Sequence, residues 1–201
     1  MDKQQKTYLK WGIIALLVLI IVIYPISTYN SLVNMDESIN NAWAQVENQY
    51  QRRADLIPNL IATVQGAADF ESNTQTEIAA LRTQATTAKQ AWDSASTQQE
   101  QIAAAQQVDA VATKFSGLNI NVENYPQLKA TQNFETFQAQ LEGTENRVSV
   151  ERQRYNDAVR SLNTKVRKFP ANIFANMFGF DQREYFEIEE GTQEVPQVSF
   201  N

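Results

Sequence analysis

The 201 residues carry a net charge of −6 and contain no cysteine and no histidine. This excludes disulfides, thiolate chemistry and the usual zinc sites, removes the commonest general base and metal ligand, and argues against nucleic acid, which needs a basic face. Gly (6) and Pro (5) are few while Gln, Asn, Ala and Thr abound, the profile of long helices rather than of a strand-rich fold.

Residues 1–8 are a short polar tail. Trp11 to Tyr24, WGIIALLVLIIVIY, holds no charge, and no charged residue follows until Asp36. From residue 9 to residue 29 the run is long enough to cross a bilayer as a helix, which needs roughly 20 mostly apolar residues. Trp11 and Tyr24 stand at its ends, where aromatic rings prefer the headgroup level. A core helix of this length would show a polar face, and a signal peptide would end in small residues at a cleavage site. The run instead continues into Pro25-Ile26-Ser27-Thr28-Tyr29, so it reads as an uncleaved anchor. Lys3, Lys6 and Lys10 precede it, whereas Asp36, Glu37 and Glu47 come before the first downstream basic residue, Arg52. That bias puts the N-terminus in the cytoplasm and the bundle outside it, at the cell membrane.

Beyond the anchor, residues 30–180 read as one helical-bundle domain, large enough for a core. Leu32, Met35, Ile39, Ala42 and Val46 recur at steps of three and four, and Ile57, Leu60, Val64 and Ala67 continue them. Pro58 interrupts this run; it removes one donor and crowds the Ala54 carbonyl. The apolar step fails only at Glu71 and Thr74, and Thr74 with Glu77 has capping-box spacing. The first soluble helix is therefore expected over about 28–69, kinked rather than broken at Pro58. A second helix is expected over 74–94, with Ile78, Leu81, Ala85, Ala88 and Trp92 on one face. A third over 98–116 has a thin stripe of Ala104, Val108, Val111 and Phe115. After a loop at 117–125, Pro126 suits the first turn of a helix that runs to 168. Its stripe is Phe134, Phe137, Leu141, Val148, Tyr155, Val159, Leu162, Val166 and Phe169, interrupted at Glu151 and Arg152. The fold class is thus all-α: a single N-terminal transmembrane helix followed by an antiparallel bundle of four helices, long, short, short, long. Short connections favour antiparallel neighbours, which returns 169–180 to the membrane. Residues 181–201, acidic and without a period, read as a flexible tail.

Residues 170–180, PANIFANMFGF, carry no charge, and Pro170 stops one helix while suiting the start of another. Two readings stay open. The segment caps the open end of the bundle with Phe174 and Phe178 in the core, or it lies on the membrane or between protomers.

Several strings together resemble the LemA family. They are Tyr29-Asn30-Ser31-Leu32-Val33, Ala42-Trp43, the specific run Arg52-Arg53-Ala54-Asp55-Leu56-Ile57-Pro58-Asn59-Leu60, Tyr125-Pro126-Gln127-Leu128, Thr144-Glu145-Asn146, Tyr155-Asn156 and Phe169-Pro170 with Phe178-Gly179-Phe180. The resemblance spans nearly the whole chain except 1–8, the 95–110 region and the tail. It implies one N-terminal transmembrane helix and a long-helix bundle in a membrane protein without an assigned molecular activity. The family also implies an N-terminus outside the cell, against the charge bias above. Its pattern commonly has His before the Glu that ends the first soluble helix; here Phe70 precedes Glu71, so no role of that His transfers.

Few residues point to chemistry. Arg52, Arg53 and Asp55 sit beside Pro58 and Asn59, as a recognition site at a kink or, in the plainer reading, as a structural ion pair with an Asn that satisfies the carbonyl freed by Pro58. Asn133, Asn146, Asn156 and Asn163 line the last helix as register-setting polar residues or as a ligand-binding layer. A di-iron bundle needs Glu-x-x-His pairs, and no phosphate loop or nucleophile elbow occurs. Catalytic, cofactor-binding and metal-ligating residues are therefore expected to be none, and no cofactor is expected. Trp43, Tyr50 and Trp92 lie near the edges of their stripes and are expected to form exposed patches for self-association. The expected role is a membrane-anchored scaffold or interaction protein whose partners are the lipid bilayer, further copies of itself and other membrane proteins, with no nucleic acid. The alternative is an extracytoplasmic sensor bundle for a small ligand. The short stretch before the anchor carries no signalling domain, which favours the scaffold.

Overall fold

A computed structural model describes residues 3–67, 72–117 and 132–186. These residues form five helices and no strand: α1 Lys3–Ala67, α2 Ser72–Ser94, α3 Gln98–Gly117, α4 Gln132–Arg167 and α5 Ala171–Phe178. The expected loop at 117–125, the start of the last helix near Pro126, and the side chains of Asn133, Phe134 and Phe137 lie outside the described residues.

The anchor and the first soluble helix are one element, α1, of 65 residues. It contains a segment long and apolar enough to cross a membrane, with a mean hydropathy of 2.4. Side chains from Trp11 to Ile23 are exposed all round, as a lipid-facing helix requires. Pro58 does not break α1. Ala54 and Ile57 before it, and Leu60, Ile61 and Val64 after it, are all buried, so packing on both sides outweighs one lost backbone bond. The Asn59 side chain donates to the Asp55 carbonyl at 2.8 Å, not to that of Ala54, which Pro58 deprives of its donor.

α1 and α4 contribute to two compact units. One takes residues up to Trp43 with Arg154–Tyr185; the other takes Ala44–Gln153 with Phe186. In the second unit four helical segments pack with alternating direction. Gln51 and Gln65 of α1 meet Trp92 and Arg82 of α2, so that pair is antiparallel. Glu47 and Tyr50 meet Gln101 and Asp109 of α3, so that pair is parallel. The core holds the expected α2 face Ile78, Leu81, Ala85, Ala88 and Trp92, and Ala105 and Ala112 thicken the thin α3 stripe. α3 starts with a reciprocal capping box. The Glu100 amide donates to Thr97 Oγ1 at 3.2 Å, and Glu100 Oε2 accepts from the Ser96 and Thr97 amides at 2.8 and 3.1 Å. The sequence placed such a box at Thr74 and Glu77, but α2 already begins at Ser72.

In the first unit α1 and α4 are antiparallel, and Leu32, Ile39, Tyr155, Val159, Leu162 and Val166 are buried. Phe169, counted in the α4 stripe, is 81% exposed instead, because α4 ends at Arg167. α5 follows and is closed by Gly179 at φ 76, with the Phe180 amide bonded to the Ala175 carbonyl at 2.9 Å. A left-handed residue at that position suits glycine.

Of the tail expected from residue 181, residues 181–186 are described, and their backbone bonds to side chains of α4. Asn163 donates to the Arg183 carbonyl and accepts from its amide, both at 2.9 Å. The Tyr155 hydroxyl donates to the Glu184 carbonyl at 2.9 Å, and Arg183 pairs with Asp36 at 2.8 Å. Residues 181–186 are thus held by polar side chains that satisfy an irregular backbone. Residues 187–201 lie outside the described residues.

Candidate functional site

Within the second unit, helical spacing places Tyr50 and Arg53 on one face of α1. That face meets Asp109 of α3 and Arg152 of α4. The Tyr50 hydroxyl donates to Asp109 Oδ2 at 2.8 Å, and Arg53 Nη1 donates to Oδ1 at 2.8 Å. Arg152 Nη2 also reaches Oδ2. The Arg152 guanidinium lies 5.1 Å from the centre of the Tyr50 ring and 4.6 Å from that of Phe186, within cation–π range. Tyr50 stacks on Trp92 at 5.4 Å and on Phe186 at 6.0 Å. The Arg152 guanidinium therefore lies against the Tyr50 and Phe186 rings. Arg53 Nε and Arg152 Nε are buried without a hydrogen-bond partner.

Removal from water pushes the Asp109 carboxyl up to about 6, against the pull of Arg53 and helped by Glu145. Burial brings Arg152 down to about 10, so its guanidinium is charged at neutral pH. A carboxylate held by two arginines and a tyrosine has its lone pairs occupied and presents no nucleophile or free base. It joins α1, α3 and α4 through one carboxylate.

A second polar cluster lies beside it. Asp55 pairs with Lys89 at 2.7 Å, and Lys89 also bonds Asp93 at 2.9 Å. Gln51 donates to Asp55 at 3.3 Å and accepts from the Trp92 indole at 2.8 Å. Desolvation pushes Asp55 up, but the bonds from Lys89 and Gln51 outweigh it and hold the carboxyl below its usual value. Lys89 is raised by its bonds to Asp55 and Asp93.

The structure distributes the candidates read from the sequence. Arg53 and Asp55 do not pair with each other; each meets a different helix, because they are two residues apart and point about 200° apart around α1. Arg52 is exposed and lines a surface groove of about 430 Å³ with Gly143, Thr144 and Arg147. Asn146 is exposed and Asn156 half-buried, so Asn146 sets no register; Asn163, which is buried, holds Arg183 rather than a neighbouring helix. Trp43 packs edge-on to Tyr155 at 5.3 Å. Tyr50 and Trp92 are buried, so neither offers the exposed patch expected of it. Phe174 meets Tyr24 at 5.7 Å, and Phe178 meets Tyr29 at 5.1 Å. Phe174 is only half-buried and Phe178 exposed, while Ala171 and Ala175 are the buried residues of α5.

Sequence reasoning missed Asp109 and Arg152. Their signals were present: Asp109 directly follows the core residue Val108, and Arg152 is where the α4 stripe breaks. Among the described residues no group of three Asp or Glu side chains converges as a metal site would require.

The chain is similar to Magnetosome protein MamQ 1 and Magnetosome protein MamQ 2 of Paramagnetospirillum magneticum, at 24% identity over 176 residues in each case. The matches cover 79% of this chain and 64% of each relative, so it spans about two thirds of the length of these curated relatives. The model of the LemA family matches residues 42–200, which include the charged core, the Pro58 region and α5: the chain belongs to the LemA family.

Proposed function

We propose that this chain is a non-catalytic, membrane-anchored scaffold that self-associates at the cell membrane and offers its bundle to other membrane proteins, with no nucleic-acid partner. The observation that carries the reading is the continuity of α1, which joins a lipid-facing segment to a bundle whose polar core is spent on joining its own helices. Self-association has its support on α1 as well. Ser27, Asn30, Ser31, Asn34 and Ser38 line a surface groove of about 630 Å³ with Ile23 and Ile26. Small side chains let helices approach closely, and tethering in a membrane raises the effective concentration of copies. The charge bias around the anchor favours a cytoplasmic N-terminus and an extracytoplasmic bundle. The test is the mass of the full chain in mild detergent across concentration, with Ser31→Trp as the variant. Oligomers that Ser31→Trp dissociates support the reading; a monomer throughout overturns self-association.

A ligand-binding sensor has one specific observation in its favour, the groove in which Arg52 and Arg147 face the same space. Two guanidiniums suit an anion. A rise in melting temperature with inorganic phosphate, lost in Arg147→Gln, would favour that reading over the scaffold.

A further inference from the structure

The α4–α5 turn combines three features that its place in the fold does not require. First, its apolar side chains point outward. Phe169, Ile173 and Met177 are 81%, 54% and 64% exposed, while the alanines of α5 take the protein-facing side. Second, it lies beside the end of the lipid-facing run. Phe174 meets Tyr24 and Phe178 meets Tyr29, so α5 runs alongside α1 in the same direction. The start of α5 and the turn before it are therefore its part nearest the apolar segment. Third, the turn is basic on its α4 side, with Lys165 and Arg167 in the last turn of α4 and Lys168 next to Phe169, whereas 169–180 carry no charge.

A core-facing helix would bury Ile173 and Met177 and leave the alanines outside. A solvated turn would not place a phenylalanine at its tip. We infer that the α4–α5 turn is a second membrane contact, seated in the headgroup layer of an anionic bilayer, with Phe169 and Ile173 at the acyl edge and Lys165, Arg167 and Lys168 on lipid phosphates. Aromatic and aliphatic side chains with a basic flank are what such a surface binds. The occupant is lipid rather than a second copy because the patch continues the lipid-facing surface of α1. Together with α1 it fixes the first unit to the bilayer at two points. The inference rests on the anchoring reading.

The chain has no cysteine, so single labels can be placed on the full protein in vesicles of phosphatidylcholine and phosphatidylglycerol. Fluorescent labels at Phe169→Cys and Ile173→Cys are expected to lose intensity to a lipid-borne nitroxide and to be shielded from iodide. A label at Asn40→Cys, exposed on α1 beyond the apolar run, is expected to behave in the opposite way. Equal iodide quenching at all three positions overturns the contact. Shielding from iodide without lipid quenching, with Phe169→Cys disulfides between copies, also overturns it and makes the patch a protomer interface. A Leu16→Cys label separates the two readings: quenched by lipid while Phe169→Cys is not, it leaves the anchor standing and removes this contact; unquenched, it removes both. Arg167→Gln with Lys168→Gln is expected to reduce lipid quenching at Phe169→Cys, and no reduction overturns the role given to the basic flank.

Discussion

Replacing Asp109 by Ala tests whether the buried charges hold the helices in one register. The substitution removes the acceptor of Tyr50, Arg53 and Arg152 at once. The side chains of Arg53 and Arg152 are 7% and 13% exposed, against 26% for Asp109, so water cannot readily replace the lost carboxylate. Breaking a buried pair by removing one partner costs about 3–5 kcal/mol. The partial exposure of Asp109 argues for the lower end, about 3 kcal/mol at pH 7. The assay is urea unfolding of the full chain in mild detergent, followed by circular dichroism and tryptophan fluorescence. A loss below about 1 kcal/mol, the range of exposed pairs, would refute the reasoning. The combined variant Arg53→Met, Asp109→Leu, Arg152→Met supplies the complement. Apolar replacement of a whole buried cluster is often near neutral, so it should recover most of the loss while permitting more than one helix arrangement, read as broadened amide resonances. A triple variant as unstable as Asp109→Ala would mean that the loss comes from packing and not from unpaired charge.

The pH dependence has a defined sign. Burial raises Asp109 from 3.8 to about 6 in the folded chain, so the folded state binds the proton more tightly than the unfolded one. The contribution of this group is greatest below the unfolded value and is lost as pH rises through about 6, by roughly 3 kcal/mol at most; unfolding at pH 4 to 7 should show this slope in wild type and not in Asp109→Asn. Thr97→Ala removes the side-chain half of the α3 capping box and should cost about 1 kcal/mol, read from urea midpoints; no change would mean that the Glu100 contacts alone suffice. Across Pro58, residues 46 and 64 stand about 27 Å apart on a continuous helix. A Val46→Cys, Val64→Cys chain should therefore form no internal disulfide, and ready oxidation within a monomer would refute the continuity of α1.

Helix existence and the buried faces were legible because burial on a helix repeats in the sequence. Ile78, Leu81, Ala85, Ala88 and Trp92 were read as one face and are buried together. The charged core was not legible for a related reason. Arg53 and Arg152 lie 56 and 43 residues from Asp109, and a charge in an apolar stripe looks like an interruption until the opposing helix supplies its partner. Local proximity suggested Asp55 for Arg53, whereas helix geometry sends those two side chains to different neighbours. Residues 181–186 were counted with the flexible tail because they have no period, and Asn163 and Tyr155 bond the backbone of Arg183 and Glu184. Periodicity reports apolar burial, and it is silent on segments retained by polar contacts.

α5 marks a different limit. Ile173, Phe174, Met177 and Phe178 recur at helical spacing, and that period is the same whether the face meets a protein core or lipid, since both are apolar. What separates the two is the identity of the covered residues. Here the small side chains Ala171 and Ala175 are buried and the large ones remain outside. Close packing on α1 needs only the alanines, with Phe174 and Phe178 spanning to Tyr24 and Tyr29. The larger apolar groups at Phe169, Ile173 and Met177 then have no use inside the fold, and exposing them to water would be unfavourable by about 25 cal/mol for each Å². Their placement next to the one described segment built to face lipid is the arrangement in which that cost disappears.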